Sequence, residues 1–196
     1  MTETSVPKAR VWANRFVFAA VLQSLLAVGL TAYLLYEGVF GVPAASKIVA
    51  GGGAGTWLIV GYFAFLIFGP IGMALAAGMF RQLESHMGHL AARWQNLMLW
   101  VSIVAYNIGI VGGSFLMMHA GYRGGAAALP VAQGGLGWTG AQAGLVHTQI
   151  MQYYPPYIAA FLGLALLGAF LGVVGYLAVW AKPVGTPGSA KPVPGQ

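Results

Sequence analysis

The four histidines are the residues in this chain whose side chains could ligate a metal or haem, and they fall into two pairs. His86 and His89 are three residues apart, so on a helix they would share one face and could not approach one haem iron from opposite sides. With only Glu84 nearby, this spacing is weak evidence for a metal site. We interpret the segment as a solvated turn.

His119 and His147 belong to different segments, as a pair of haem or copper ligands usually does. Met117 and Met118 directly precede His119, and Met151 lies about one helical turn beyond His147. Imidazole together with thioether suits copper or a haem iron. His119 and His147 are therefore the candidate cofactor-binding residues, and the alternative is that His147 belongs to a docking surface.

Other catalytic patterns are absent from the sequence. It has no cysteine, and its only carboxylates are three glutamates. No H-E-x-x-H motif, phosphate-binding glycine loop or carboxylate pair for acid–base chemistry occurs. We expect no catalytic residues, no metal site and no intrinsic cofactor.

The composition indicates an integral membrane protein. Of 196 residues, 59% are apolar and 6% are charged, and the mean hydropathy is +0.77. Soluble domains carry about 25% charged residues. This composition excludes an ordinary soluble enzyme, a disordered chain and a nucleic-acid binder, and we expect a multi-pass protein of a prokaryotic plasma membrane.

Four apolar stretches are long enough to cross a bilayer, which takes about 20 residues per helix. They cover approximately residues 16–36, 56–80, 96–118 and 156–180. The predicted fold is all-α, with one domain over residues 1–181 that forms a bundle of four transmembrane helices. Residues 182–196 are rich in proline and glycine, which predicts a disordered tail.

The distribution of cations predicts the topology. With the amino terminus inside, the cytoplasmic segments hold seven cations: Lys8, Arg10, Arg15, Arg81, Arg93, Lys182 and Lys191. The outer segments hold only Lys47 and Arg123. By the positive-inside rule, both termini lie in the cytoplasm, and so does the predicted tail.

The longest predicted connection is the outer loop at residues 119–155. Its second half, residues 139–154, has spacing that would suit a helix lying at the membrane interface, with Thr139 as its N-cap. The sequence from Leu145 to Pro156 around His147 is typical of a docking surface for the outer domain of another protein. A connection of this length is more often functional than a short one.

Small residues allow helix backbones to approach closely in lipid. Gly109 with Gly113, and Gly168 with Gly172, form two G-x-x-x-G pairs on the third and fourth spans. With Gly69 and Gly72 on the second span, these are the predicted helix-packing residues, within the bundle or against larger partner subunits.

Few polar side chains lie within the spans, and none is ionisable at a span centre. Gln23 and Asn107 are most simply interhelical hydrogen-bond partners. Pro70 should kink the second span and free the carbonyl of Leu66. The usual parts of a proton-coupled transporter or a charged ion filter are missing.

The second span reads GYFAFLIFGPIGM at residues 61–73 and continues to Leu83 and Glu84. Over spans two and three, the chain resembles the small hydrophobic subunits that accompany haem–copper terminal oxidases in some archaea. The resemblance implies an accessory subunit that packs against the catalytic subunit and carries no redox centre. The catalytic subunit itself is excluded, because it has many more spans and ligating histidines.

Three functions remain open from the sequence. The leading hypothesis is a non-catalytic subunit of a respiratory electron-transfer complex, most simply a terminal oxidase, whose partners are larger membrane subunits and lipids. The alternative is a small membrane b-type cytochrome or quinol-oxidising subunit with an outer-side haem or copper on His119 and His147. The third is an oligomeric channel or carrier for small solutes, whose pore would use Gln23, Ser102 and Asn107.

Overall fold

The computed structural model describes residues 11–87 and 92–181. The described residues are almost entirely helical and form no strand. The α-helices are α1 (Val11–Phe40), α2 (Ala45–Ala50), α3 (Thr56–Leu66), α4 (Gly72–Met87), α5 (Arg93–Ala128), α6 (Ala143–Leu145) and α7 (Pro155–Trp180). The predicted tail at 182–196, His89 and the side chain of His86 lie outside the described residues.

Four helical segments are long and apolar enough to cross a membrane: Val11–Phe40, Gly53–Ser85, Arg93–Ala128 and Pro155–Trp180. This confirms the predicted all-α fold of a multi-pass membrane protein with four spans. Each segment is longer than the apolar stretch identified from sequence, because a helix can continue past the hydrocarbon core without being apolar.

The third span differs most from its predicted bounds. Helix α5 continues to Ala128, ten residues beyond the expected end near Met118. His119 therefore lies within the helix, and the connection expected at residues 119–155 begins only at Leu129. The glycines in this extension remain helical because the backbone packs closely there: a Cβ at Gly121 would collide with the backbone of Leu58.

The second span is interrupted at its centre by a π-helical turn, Ile67–Ile71, that contains Pro70. The N–H of Gly72 donates to the carbonyl of Ile67, five residues earlier, as in a π-helix. The hydroxyl of Tyr106 on α5 donates to the carbonyl of Phe68 at 2.9 Å. Proline thus disturbs the helix as expected, but the carbonyl that accepts this outside donor belongs to Phe68 and not to Leu66.

This turn decides how the spans pack. Before it, α3 lies against α5, and after it, α4 lies against α1. Helix α7 packs almost entirely on α5. Helix α1 barely contacts α5, and the space left between them is the α1–α5 groove. Helix α4 likewise barely contacts α7, which leaves the α4–α7 groove.

The start of α1 and the end of α7 lie at the same end of the bundle. The indole N–H of Trp12 donates to Asn96 Oδ1 at 2.9 Å, and the amide N–H of Gln95 donates to the carbonyl of Ala178 at 2.9 Å. Gln95 is buried, and its Oε1 also accepts from the N–H of Ala92 at the start of α5. The placement of this end in the cytoplasm remains a prediction from the cation distribution.

The opposite end of the bundle is covered by a series of short helical turns. These are 3₁₀ turns at Gly140–Gln142 and Met151–Tyr153, helix α6, and a π turn at Val146–Ile150. Val146 and Met151 are buried here against Ala120 and Ala127 of α5. The segment expected to be one interfacial helix is thus helical but irregular, and the Thr139 side chain makes no capping hydrogen bond.

Candidate functional site

His119 is an exposed residue in the last third of α5, where its ring contacts Tyr154. The Tyr154 hydroxyl lies 2.9 Å from His119 Nδ1, and the ring centroids are 5.7 Å apart. His147 is exposed on the π turn before α7. Among the described residues, no hydrogen bond or ring contact joins His119 to His147, so the candidate ligand pair is not brought together by direct contact.

Two of the methionines beside these histidines, Met118 and Met151, are packed in separate apolar clusters. Met118 is buried with Ile48 and Leu58, under the start of α3. Met151 is buried with Ala120 in the cluster that covers the end of α5. Within residues 11–87 and 92–181, no group of three or more His, Cys, Asp or Glu could hold a metal ion. Whether His119, His147 and these thioethers bind a haem or copper together stays a prediction from the sequence.

Glu84, the carboxylate nearest in sequence to His86 and His89, is used to cap a helix. Its Oε1 accepts from the backbone N–H of Trp12 at 2.7 Å, and its Oε2 accepts from that of Ala13 at 3.2 Å. The first N–H groups of a helix have no partner within the helix, and a carboxylate is well suited to them. The function of Glu84 is therefore to fasten α4 to the start of α1.

The polar side chains at the centre of the bundle join different helices. Gln23 Nε2 on α1 donates to Asn107 Oδ1 on α5, as the sequence indicated. Asn107 Nδ2 in turn donates to the carbonyl of Ile103 at 2.7 Å and contacts the Met73 sulfur at 3.4 Å. Gln23 Oε1 is buried without a hydrogen-bond partner, and it lies against Gly69, where a side chain would collide with it.

Two further bonds extend this network to the remaining helices. The Ser102 hydroxyl on α5 donates to the carbonyl of Gly168 on α7 at 2.7 Å, and Tyr106 reaches the π turn. Together with the Gln23–Asn107 pair, these bonds link α5 to each of the other three spans. These side chains are consequently committed to holding the bundle together.

The six predicted packing glycines all contact other helices of the same chain. A Cβ at Gly109 would collide with the backbone of Ala165, and one at Gly168 with the backbone of Tyr106. The other four contacts join Gly113 to Leu162, Gly172 to Ser102, Gly69 to Gln23, and Gly72 to Tyr106. At these six positions the chain's own helices make the close approach that glycine allows, so the glycines pack within the bundle.

A second set of close contacts was missed from the sequence. Gly121 packs against Leu58, and Gly125 against the backbone of Gly55, so that the end of α5 lies close to the start of the second span. These two glycines have the same G-x-x-x-G spacing as the identified pairs. This spacing could be seen in the sequence, but both glycines lie beyond the expected end of the third span near Met118.

The α1–α5 groove has a volume of about 650 Å³, and one of its residues is the cation Arg15. The Arg15 guanidinium carbon lies 4.3 Å from the ring centroid of Trp12 and 4.7 Å from that of Trp100. The α4–α7 groove is smaller, about 340 Å³, and no charged side chain lines it.

Comparison with protein families, curated proteins and solved structures finds no match to this chain. Among the described residues, Glu84 caps a helix, and Gln23, Ser102 and Asn107 form hydrogen bonds between helices.

Proposed function

We propose that this protein is a non-catalytic integral-membrane subunit of a respiratory electron-transfer complex, and specifically of a terminal oxidase, where it packs against and stabilises the catalytic subunit. The proposal rests on the use of the polar side chains within the bundle. Gln23, Ser102 and Asn107 form hydrogen bonds to other helices of the chain, and Glu84 caps α1. The choice of a terminal oxidase depends on the resemblance of the second span.

The outward face of α7 supports a packing role. The helix buries one stripe against α5 and exposes the opposite side, where Leu166 is 72% and Phe170 is 64% exposed. Gly163 lies on the exposed side with no atom within 4 Å of where its Cβ would be. A small residue among large apolar ones allows another membrane helix to approach closely.

Helix α1 offers a similar face on the other side of the bundle. Leu25 and Val28 are 65% and 68% exposed, and Gly29 beside them has open space around its Cβ position. Because α1 and α7 are the outermost spans, partner helices could pack on both sides without displacing contacts within the chain.

The outer turns at residues 140–153 provide a third surface, against which a partner's outer domain would pack. His147 and Tyr153 are exposed there, while Val146 and Met151 beneath them anchor the turns to α5. A surface of polar and aromatic groups on a fixed base is typical of protein interfaces.

Purification of the tagged chain from its native membrane in mild detergent tests the proposal. We expect haem-bearing subunits to co-purify in a fixed ratio, and the isolated chain to show no haem band in a reduced-minus-oxidised spectrum. Recovery as a stable, lone monomer would contradict the proposal. A haem band that His119→Leu and His147→Leu abolish would instead identify a small cytochrome.

Gly163→Leu provides a finer test of the α7 face. Since the Cβ position is open, the variant should fold with unchanged thermal stability, yet recover less of the partner subunits. The control is Gly78→Leu, which also has open space at its Cβ position but lies on α4, outside the three surfaces proposed for partners. Equal recovery of partners by wild type and Gly163→Leu would exclude the α7 face as the interface.

A further inference from the structure

We propose that the α1–α5 groove binds one anionic phospholipid, whose phosphate lies on Arg15 and whose acyl chain runs along the groove. The inference does not depend on the respiratory assignment, because it rests on the geometry of this chain alone.

Arg15 is held where a lipid headgroup would lie. Its guanidinium packs on the indole of Trp12 from its own helix and on that of Trp100 from α5, so it bridges one end of the groove. A cation–π contact uses the π face of an indole and takes up none of the five N–H donors of a guanidinium, so these donors can still bind an anion. A planar fork of N–H donors matches the oxygens of a phosphate.

No carboxylate among the described residues neutralises Arg15. Glu84, on the neighbouring helix α4, is occupied by the backbone N–H groups of Trp12 and Ala13. An arginine fixed near the membrane surface without an anionic partner attracts an anionic headgroup. The charge of this site therefore selects the class of lipid.

Apart from three amide side chains, the remainder of the groove is lined by apolar residues, and it has the length of one leaflet. It is lined from α1 by Phe18, Leu22 and Leu26, and from α5 by residues that include Val104 and Ile108. The rise from Arg15 to Leu26 is roughly 17 Å along the helix. This is about half of the 30 Å thickness of the hydrocarbon core. A single acyl chain that begins at the headgroup level would end near the bilayer midplane.

The deep part of the groove favours an acyl chain over a quinone ring. Gln23 and Asn107 both line it, but their amides bind each other, and Asn107 also donates to Ile103. The unpartnered atom of this pair, Gln23 Oε1, is buried against Gly69, and as an acceptor it cannot donate to the carbonyl oxygens of a quinone. The volume of about 650 Å³ is within the usual range for a small-ligand site.

Native mass spectrometry of the detergent-purified full chain tests the headgroup contact, with phosphatidylglycerol and phosphatidylcholine added in equal amounts. We expect wild type to prefer phosphatidylglycerol, and Arg15→Gln to lower that preference roughly fivefold. The matched control is Arg93→Gln, which removes an exposed cation from the same end of the bundle. Its lipid preference should equal that of wild type.

Filling the groove tests the acyl contact separately. Val104 lines the groove and is 50% exposed, so Val104→Trp should occupy the space without disturbing the core, and should lower binding of both lipids. Val101→Trp, at an exposed position on the same helix outside the groove, should leave binding unchanged. The proposal is overturned if Arg15→Gln and Arg93→Gln lower the preference for phosphatidylglycerol equally, or if Val104→Trp retains the lipid. It is also overturned if the molecule that co-purifies with the chain has the mass of a quinone.

Discussion

The carboxylate of Glu84 accepts a 2.7 Å hydrogen bond from the backbone N–H of Trp12, across 72 residues of sequence. The same carboxylate binds the next N–H, so the first turn of α1 is capped by a side chain from α4. Such a contact fixes α1 relative to α4, because the carboxylate accepts hydrogen bonds from N–H groups that have no acceptor within their own helix.

Replacing Glu84 should therefore loosen the α1–α4 pair. A hydrogen bond to a charged group contributes about 1.5–3 kcal/mol. We expect Glu84→Ala to lower the free energy of unfolding in detergent by about 2 kcal/mol on the same basis. Glu84→Gln should cost less, because the amide oxygen can still accept. Equal stability of Glu84→Ala and wild type would contradict the capping role.

The Gln23–Asn107 pair predicts energetic coupling between α1 and α5. Measured couplings of this type between membrane helices average about 0.6 kcal/mol and reach about 1.7. In a double-mutant cycle with Gln23→Leu and Asn107→Leu, we expect a favourable coupling in this range. Additive effects of the two substitutions would show that the bond contributes nothing.

The same leucine variants address the channel hypothesis. If the two amides only join helices, solute flux into liposomes should be at background both for wild type and for Asn107→Leu. Flux in wild type that disappears in Asn107→Leu would instead support a pore lined by these residues.

Two glycines on α7 should respond in opposite ways to alanine. Gly168→Ala places a methyl group against the backbone of Tyr106, which should cost about 1–3 kcal/mol. The methyl group of Gly163→Ala would lie in open space. The free energy of unfolding should therefore stay the same or rise by up to about 1 kcal/mol, because alanine has a higher helix propensity than glycine. Thermal unfolding in detergent compares the two variants, and similar losses in both would contradict the observed packing of α7.

The Tyr106 hydroxyl should stabilise the π turn around Pro70. Tyr106→Phe removes its 2.9 Å hydrogen bond to the Phe68 carbonyl, and we expect a loss of about 1 kcal/mol in unfolding free energy. The control is Tyr157→Phe, since Tyr157 is 63% exposed on α7. Faster hydrogen exchange within residues 67–71 of Tyr106→Phe alone would locate the effect, whereas unchanged exchange would argue against it.

Features that depend on local composition could be read from the sequence. The number of spans follows from runs of apolar residues, and the disturbance at residue 70 follows from the missing N–H of proline. The bond between Gln23 and Asn107 could also be expected, since an amide buried in a membrane bundle requires a partner. In contrast, the end of α5 at Ala128 could not be found from hydropathy, because its last turns are stabilised by packing against Gly55 and Leu58.

The sequence by itself determined an all-α membrane protein with four spans, because the chain has too few charges to cover a water-facing surface. Only the tertiary structure decided that His119 pairs with Tyr154, that Glu84 caps α1, and that Arg15 lies between two indoles. Each of these arrangements depends on at least one contact between residues far apart in the chain, which for Arg15 is the contact with Trp100. The π turn at Pro70 sets how the spans diverge, and that divergence determines which distant side chains meet and where the grooves remain.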